Sequence, residues 1–91
     1  LNMEDVIEVI SKGAAQSWQM ENRYKTMLED KFDFGFAVDW MRKDLKIAMD
    51  EAKNNGSLLP VTELVDKYYG EVQEMGGNRW DTSSLIRRFR K

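Results

Sequence analysis

The sequence predicts an all-α fold, a compact bundle of about five helices around one long central helix at residues 36–54. Three observations support this prediction. Apolar residues recur at three- and four-residue spacing in successive segments, which is the pattern of amphipathic helices. Residues that begin or end helices separate these segments. No stretch shows the strict alternation of apolar and polar residues that is typical of a half-buried strand.

The first two helices occupy the N-terminal third of the chain. Asn2 is a suitable N-cap for the first helix, and Gly13 is placed to end it. The apolar face of this helix consists of Met3, Val6, Ile7, Ile10 and Ala14. A second helix is expected to begin near Ala15 or Ser17 and to end near Lys31. Its looser apolar face consists of Trp18, Met20, Tyr24, Met27 and Leu28.

The central helix follows a short aromatic turn at residues 32–35. It is expected to run from about Phe36 to Asn54, because the following Asn-Gly pair, which ends in Gly56, is a natural helix stop. Pro60 fits the first turn of a fourth helix, since its fixed φ is helical and its missing N–H would be unpaired there anyway.

The fourth helix carries a continuous apolar stripe that ends at Gly76 and Gly77. The stripe consists of Val61, Leu64, Val65, Tyr68, Val72 and Met75. Gly70 interrupts it at a cost of about 1 kcal/mol relative to alanine, which predicts a close helix contact at this position. Asp81 and the hydroxyl residues after it are expected to cap a short fifth helix, which bears Leu85, Ile86 and Phe89.

Composition limits the classes of function. With 91 residues, the chain can form one domain with one small core. It has no cysteine, which excludes disulfides and thiolate metal sites and is compatible with a cytoplasmic location. It also has no histidine, the commonest general base and zinc ligand, so no metal site is predicted. The net charge of −2 gives no general attraction to nucleic acid or anionic lipid, and no apolar run reaches the about 20 residues that span a bilayer.

Asp44 occupies an unusual position in the central helix. At about 100° per residue, the apolar side chains of this helix cover an arc of roughly 220°, and Asp44 falls inside the arc. A carboxylate among apolar side chains costs free energy unless it is paired, hydrogen-bonded or neutral. Asp44 therefore has either a structural partner, such as Arg23, Arg79 or a helix N-terminus, or a functional position.

Lys43 lies at the edge of the same arc. Its simplest interpretation is an exposed ion pair with Asp39, four residues earlier, worth about 0.3 to 0.5 kcal/mol. Phe36 and Trp40, however, could hold its long cationic side chain at the rim of an apolar cavity. A lysine there would suit a phosphate, a carboxylate or a carbonyl.

A basic cluster, Arg87-Arg88-Phe89-Arg90-Lys91, ends the chain. It could contact phosphates, yet cations in the last turn of a helix also complement the helix dipole. Four charges at one end of an acidic chain give little support for nucleic-acid binding, so no nucleic-acid partner is predicted. Glycine-rich phosphate loops and nucleophile–base sets are absent from the sequence.

Short motifs follow one another along nearly the whole chain. They are Gly13-Ala14-Ala15-Gln16-Ser17-Trp18, Met27 with Asp30 and Phe32, Gly35-Phe36 with Lys43-Asp44-Leu45, Ala48, Ala52, Gly56 and Pro60, and finally Gly76, Asp81, Ser83 and Leu85-Ile86. In this order and spacing, they resemble the C-terminal domain of the β-hydroxyacid dehydrogenases. That family includes 3-hydroxyisobutyrate dehydrogenase, tartronate semialdehyde reductase and glyoxylate/succinic semialdehyde reductases, and its C-terminal domain is similar to that of 6-phosphogluconate dehydrogenase.

The resemblance implies an enzyme of two parts. An N-terminal Rossmann domain, expected to precede this chain, would bind NAD or NADP, and residues 1–91 would form the helical substrate and dimerisation domain. Family members exchange a hydride between the nicotinamide and a 3-hydroxy acid or a short semialdehyde. A homodimer or higher homo-oligomer is expected, and the isolated chain is expected to be inactive.

The resemblance also implies roles for three residues. Lys43 matches the family lysine that reaches into the cleft and contacts the cofactor, and Phe36 and Asp44 match positions that line or brace the same cleft. The catalytic lysine of the family belongs to a Gly-rich Lys-x-x-Asn motif that has no match here and is expected upstream of Leu1. Asp44 would then anchor the central helix by hydrogen bonding and so direct Lys43 towards the nicotinamide.

The sequence leaves two other interpretations open, a non-catalytic helical dimerisation module and a nucleic-acid binder that uses the basic C-terminus. It does not decide between NAD and NADP, because that choice belongs to the dinucleotide-binding half. It does not name the substrate either, because the substrate-carboxylate loop is expected upstream.

Overall fold

The structure, a computed structural model, describes residues 1–90 and confirms the all-α class. Its helices are α1 (Met3–Ile10), α2 (Trp18–Leu28), α3 (Val38–Asn55), α4 (Pro60–Glu74) and a 3₁₀ helix (Thr82–Phe89). No β-strand forms within residues 1–90, although an isolated antiparallel bridge joins Ala37 to Asp81. None of the helices described here is long and apolar enough to cross a membrane.

The first compact unit, Leu1–Phe32, consists of α1 packed against α2. The Asn2 side chain accepts a hydrogen bond from the Asp5 N–H at 3.1 Å, and the Ser17 hydroxyl accepts one from the Met20 N–H at 3.1 Å. Both bonds satisfy amides that have no partner within the helix, so the predicted start of α1 and one of the two predicted starts of α2 are confirmed. α1 ends at Ile10, three residues before the predicted stop at Gly13.

The second unit begins at Asp33. In it, α4 packs against both α3 and the 3₁₀ helix. Its buried centre consists of Val38, Tyr69 and Val72, with half-buried Met41, Leu45, Val65, Trp80 and Leu85 around them. Burial of this apolar surface is the main source of stability for the unit. The core therefore lies between α3 and the two elements that follow it.

The C-terminal end of α3 and the start of α4 follow the sequence closely. α3 ends at Asn55, and Gly56 adopts the left-handed conformation with φ of 78°, as its position after the last turn predicts. Pro60 is the first residue of α4, as predicted. The start of α3 differs, because Phe36 and Ala37 precede the helix and the first helical residue is Val38.

The broad apolar arc predicted for the central helix divides into two sides. The side that contains Met41, Leu45 and Ala52 is buried or half-buried, together with Val38, which the helical wheel left outside the arc. On another side, about 140° away at 100° per residue, Trp40 and Ile47 are exposed. Sequence periodicity shows that side chains are apolar but does not show which of them a neighbouring element covers.

Candidate functional site

The segment that connects α4 to the 3₁₀ helix binds the first turn of α3. We call residues 78–81 of this segment the clamp. The first N–H groups of a helix have no partner within the helix, and the N-cap of α3 offers no side-chain oxygen. Instead, the Val38 N–H donates to the Trp80 carbonyl at 2.8 Å, and the Asp39 N–H donates to the Asn78 carbonyl at 3.0 Å. Backbone from a distant part of the sequence thus replaces a conventional helix cap.

The Asp81 carboxylate binds the residue just before this first turn. Asp81 is only 1% exposed, and one of its oxygens accepts a hydrogen bond from the Phe36 N–H at 3.1 Å. Its other oxygen accepts from the Ser83 N–H at 3.0 Å and from the Ser83 hydroxyl at 2.5 Å. Asp81 therefore caps the 3₁₀ helix, as predicted, and also fixes the backbone of Phe36.

An exposed face of α3 carries Lys43 beside large apolar side chains. Phe36 is 45% exposed, Trp40 56% and Ile47 59%. The Lys43 ammonium lies 5.6 Å from the centroid of the Trp40 ring, within the range of a cation–π attraction. Within residues 1–90 it forms no ion pair and no hydrogen bond. The ammonium is therefore held beside an aromatic surface with its donors available to a ligand.

A groove and a pocket border this face. The groove, of 640 Å³, lies between α3 and α4 and includes Lys43. The pocket, of 380 Å³, lies just before α3 and is bordered by Phe36, Trp40 and Arg79. Trp40 connects the two, because it lines the pocket while its ring lies beside the Lys43 ammonium.

Most charges in the groove already have partners. Its charged residues are Asp39, Arg42, Lys43, Lys46, Asp50, Lys53, Glu63 and Asp66. Arg42 is paired with Asp66, and Lys46 with Asp50. Within the described residues, Lys43 and Lys53 have no carboxylate partner, and of the two only Lys43 lies beside an aromatic ring. Lys43 is therefore the donor placed to bind an anionic or carbonyl ligand beside the apolar surface.

Arg42 connects α3 to α4. Its guanidinium donates to both oxygens of the Asp66 carboxylate, at 2.8 and 2.9 Å, and to the Gln73 side-chain oxygen at 2.9 Å. These bonds raise the pKa of Arg42 and lower the pKa of Asp66, because the hydrogen bonds favour the charged form of each group. A Cβ on Gly70 would lie 2.9 Å from the guanidinium, which confirms the close helix contact predicted at this glycine.

Two sequence-based interpretations of the neighbouring acids are wrong. Asp44 is exposed rather than buried, and it has no hydrogen-bonded or ionic partner within residues 1–90. Asp39 does not pair with Lys43, because its carboxylate accepts hydrogen bonds from Gln73 at 2.8 Å and Asn78 at 3.2 Å. The helical wheel placed Asp44 in an arc that is in fact uncovered on that side. The role of Asp44 at a cleft stays a prediction.

The basic C-terminal cluster makes structural contacts. The Arg88 guanidinium lies 3.4 Å from the centroid of the Tyr68 ring and pairs with Glu71. The Arg87 guanidinium lies 5.5 Å from the centroid of the Trp80 ring. Lys91, the last residue of the cluster, lies outside the described residues. These contacts favour a role in packing for the two arginines over a role in binding phosphates.

Sequence reasoning missed two residues that shape this region. It identified Asp81 only as a cap, although the same carboxylate reaches a residue 45 positions earlier. It gave no role to Arg42, which connects α3 to Asp66 and Gln73 on α4. Gly70, which lies against the Arg42 guanidinium, was the available signal for the contact of Arg42. No local signal existed for the bond between Asp81 and Phe36.

Within residues 1–90, no three histidine, cysteine, aspartate or glutamate side chains come close enough together to hold a metal ion. The Lys43 ammonium, with its donors available beside Trp40, fits a cofactor phosphate or carbonyl.

A family model described as the NAD-binding domain of NADP-dependent 3-hydroxyisobutyrate dehydrogenase matches residues 1–89. The chain belongs to this family. The resemblance drawn from the motifs is thereby confirmed, and the description agrees with the predicted NAD or NADP cofactor.

Three relatives illustrate the range of the family. An oxidoreductase described as uncharacterised, from Shewanella frigidimarina, is 74% identical over 86 residues, which is 94% of this chain. The 2-(hydroxymethyl)glutarate dehydrogenase of Eubacterium barkeri is 32% identical over 96% of the chain. A probable mitochondrial 3-hydroxyisobutyrate dehydrogenase-like protein of Arabidopsis thaliana is 31% identical over 94%. The matches cover only 30%, 29% and 26% of these proteins' own lengths, respectively.

Proposed function

We propose that this chain forms one wall of the cofactor and substrate cleft in an NAD(P)-dependent dehydrogenase. The enzyme would exchange a hydride between the nicotinamide and a 3-hydroxy acid or a short semialdehyde. The dinucleotide fingerprint and the catalytic lysine would belong to a preceding Rossmann part. We expect a cytoplasmic location for this enzyme, with which the lack of cysteine in this chain is compatible.

The observation that carries the proposal is the state of Lys43. Its ammonium has no partner among residues 1–90 and lies beside the exposed Trp40 ring, next to the pocket that Phe36 borders. In the family pattern, this lysine contacts the cofactor and the phenylalanine lines the cleft. Lys43 would donate hydrogen bonds to a cofactor carbonyl or phosphate, and Phe36 would exclude water from the cleft wall. The bound nicotinamide would supply the hydride-transfer chemistry.

The exposed apolar surface around Lys43 supports an interface as well as a cleft. Phe36, Trp40 and Ile47 are each about half exposed in this chain, and large exposed apolar residues close together mark interaction sites. We expect this surface to face the rest of the enzyme or a second subunit. The same surface is what the alternative, a non-catalytic dimerisation module, would use.

The intact enzyme tests the proposal through Lys43→Ala. We expect a higher apparent KM for the nicotinamide cofactor and a fall of about tenfold in kcat/KM, equivalent to about 1.4 kcal/mol, with an unchanged thermal midpoint. The assay would use a panel of 3-hydroxy acids and short semialdehydes with both nicotinamides. Lys53→Ala, another lysine of the groove without a carboxylate partner, is the matched control.

Wild-type kinetics in Lys43→Ala, or an equal loss in Lys53→Ala, would remove the specific cofactor contact from the proposal. The gene sequence that precedes Leu1 separates the alternatives independently. A Gly-x-Gly-x-x-Gly after a strand, followed by a Gly-rich Lys-x-x-Asn, is expected for the dehydrogenase and not for a non-catalytic module.

A further inference from the structure

Asp81 makes more hydrogen bonds than a helix cap requires. To cap the 3₁₀ helix, its carboxylate needs only the Ser83 N–H, which one oxygen accepts at 3.0 Å. The other oxygen accepts from the Phe36 N–H at 3.1 Å, on a segment 45 residues away. A carboxylate that is 1% exposed is stable only with such donors, so the bond to Phe36 is part of what allows Asp81 to be buried.

The backbone on both sides of Asp81 is held in place by close contacts with α4. A Cβ on Gly77, four residues earlier, would lie 2.7 Å from a Val72 methyl group and closer still to the Trp80 ring, so the chain is tightly packed there. On the other side, the Tyr69 hydroxyl donates to the Thr82 carbonyl at 3.1 Å. The acceptor offered to Phe36 therefore has a fixed position relative to α4.

The backbone at Phe36 is held by the same segment, since its neighbour Ala37 forms the isolated bridge with Asp81. Phe36 precedes the first turn of α3, its side chain is 45% exposed, and its N–H donates only to Asp81. Its ring borders the pocket that also contains Trp40 and Arg79. The conformation of this part of the pocket wall thus depends on a carboxylate that does not line the pocket.

We propose that Asp81 is a positioning residue that acts through Phe36, fixing the phenylalanine at the cleft wall and so setting how well cofactor or substrate is bound. This inference rests on the proposed function, because it requires that Phe36 lines a cleft. Asp81 itself touches neither ligand. Replacing Asp81 should therefore change KM only through a change in the position of Phe36.

A double-mutant cycle in the intact enzyme tests this dependence. We expect Asp81→Ala to raise the KM for cofactor or substrate about fivefold in the wild-type background, and less than about twofold in the Phe36→Ala background. A purely structural role would not produce this non-additivity. Equal factors in the two backgrounds, or no factor in either, would overturn the inference.

Two further variants separate positioning from stability. Ala52→Gly weakens the buried distal part of α3 by about 1 kcal/mol without touching Asp81 or Phe36, and its KM values are expected to stay at wild type. Asp81→Asn keeps one oxygen for the Phe36 N–H, and its KM is expected to be nearer to wild type than that of Asp81→Ala. If Asp81→Ala does not fold, Asp81→Asn replaces it in the double-mutant cycle. An increase in KM that persists in the Phe36→Ala background would again overturn the inference.

Amide hydrogen exchange gives a readout that does not depend on activity. We expect the Phe36 amide to exchange at least about tenfold faster in Asp81→Ala than in Ala52→Gly at matched stability. Unchanged exchange would overturn the inference. If the wild-type enzyme shows no hydride exchange with any compound of the panel, the proposed function fails, and the exchange measurement alone then decides whether Asp81 fixes Phe36.

Discussion

Gly77 illustrates a position where the absence of a side chain is required by packing. It is buried where the chain leaves α4, and its N–H donates to the Val72 carbonyl at 3.0 Å. A Cβ there would overlap the Trp80 ring and a Val72 methyl group. The ring cannot move freely, because it packs against the buried cluster of Val38, Tyr69 and Val72.

We therefore expect Gly77→Ala to lower the free energy of unfolding by about 1 to 3 kcal/mol, as overpacking of a filled core does. Denaturant unfolding followed by circular dichroism would measure the loss. Gly13→Ala is the control, since a Cβ there meets only the Ile10 carbonyl oxygen, at 3.3 Å. A Gly77→Ala protein as stable as wild type would mean that the clamp repacks at little cost.

Asp44 requires a revised expectation about stability. Its carboxylate is exposed and has no partner within residues 1–90, so Asp44→Ala should change the free energy of unfolding by no more than about 0.5 kcal/mol. Asp66→Ala, which leaves Arg42 without its carboxylate, should cost clearly more. Thermal midpoints of the two variants test this, and a large loss for Asp44→Ala would indicate that the intact enzyme buries this carboxylate.

Local chemistry explains which residues the sequence could predict. Asn2, Ser17, Gly56 and Pro60 act through neighbours within four or five positions along the chain, so spacing alone revealed them. The second bond of Asp81 spans 45 positions and left no local pattern.

At the scale of elements, two sides of α3 differ in their surroundings. Its covered side packs through Val38 and Leu45 against the core shared with α4. The bidentate pair between Arg42 and Asp66 fixes the two helices relative to each other at the edge of this contact. The exposed side, with Trp40 and Lys43, is thus presented at a defined orientation.

The Arg42–Asp66 pair predicts a pH dependence. The pKa of Asp66 is lowered in the folded state, so its stabilising contribution is complete above the ordinary carboxyl pKa of about 4 and is lost as the pH falls through the lower folded value. The raised pKa of Arg42 leaves that residue charged throughout this range. Wild type should therefore exceed Asp66→Asn by about 1 kcal/mol near neutral pH, and the difference should shrink below about pH 4.

Urea unfolding of both proteins over this pH range measures the effect. Asp50→Asn is the control, because the Lys46–Asp50 pair is exposed on one helix face, at 3.2 Å, and such pairs contribute only about 0.3 to 0.5 kcal/mol. A wild-type advantage over Asp66→Asn that did not change with pH would contradict ionic stabilisation by this pair.

Elements were predicted better than their burial. The types and most boundaries of the helices follow from apolar periodicity and capping residues, because both depend only on residues close together in the sequence. Which side of α3 is covered depends on where α4 lies, and no helical wheel contains that information. Val38, the most buried residue of the helix, was therefore missed, and Trp40 and Ile47, which belong to the predicted apolar arc, are exposed.

At the scale of the whole chain, the basic C-terminus is part of the fold. Arg88 stacks on Tyr68 and pairs with Glu71, both on α4. We expect Arg88→Ala to lower the free energy of unfolding by about 1 to 2 kcal/mol through the lost cation–π and ionic contacts. Differential scanning calorimetry would detect the shift in thermal midpoint, and Lys67→Ala, an exposed lysine of the same helix, is the control.

A nucleic-acid function of the cluster would give a different result. It would require an affinity for duplex or single strands that falls steeply with added salt, together with an unchanged thermal midpoint in Arg88→Ala. Measuring both properties on the same variant therefore separates the packing and binding interpretations.

The clamp has a consequence for shortening the gene. Asn78, Trp80 and Asp81 supply the acceptors for the amides at positions 36, 38 and 39. A stop codon before position 78 would therefore remove acceptors from the start of a helix about forty residues earlier in the chain. Such a truncation would unravel the beginning of α3 although α3 itself is intact in the product. Residues 78–81 are therefore required for the first turn of the helix that bears Lys43, although they lie outside that helix.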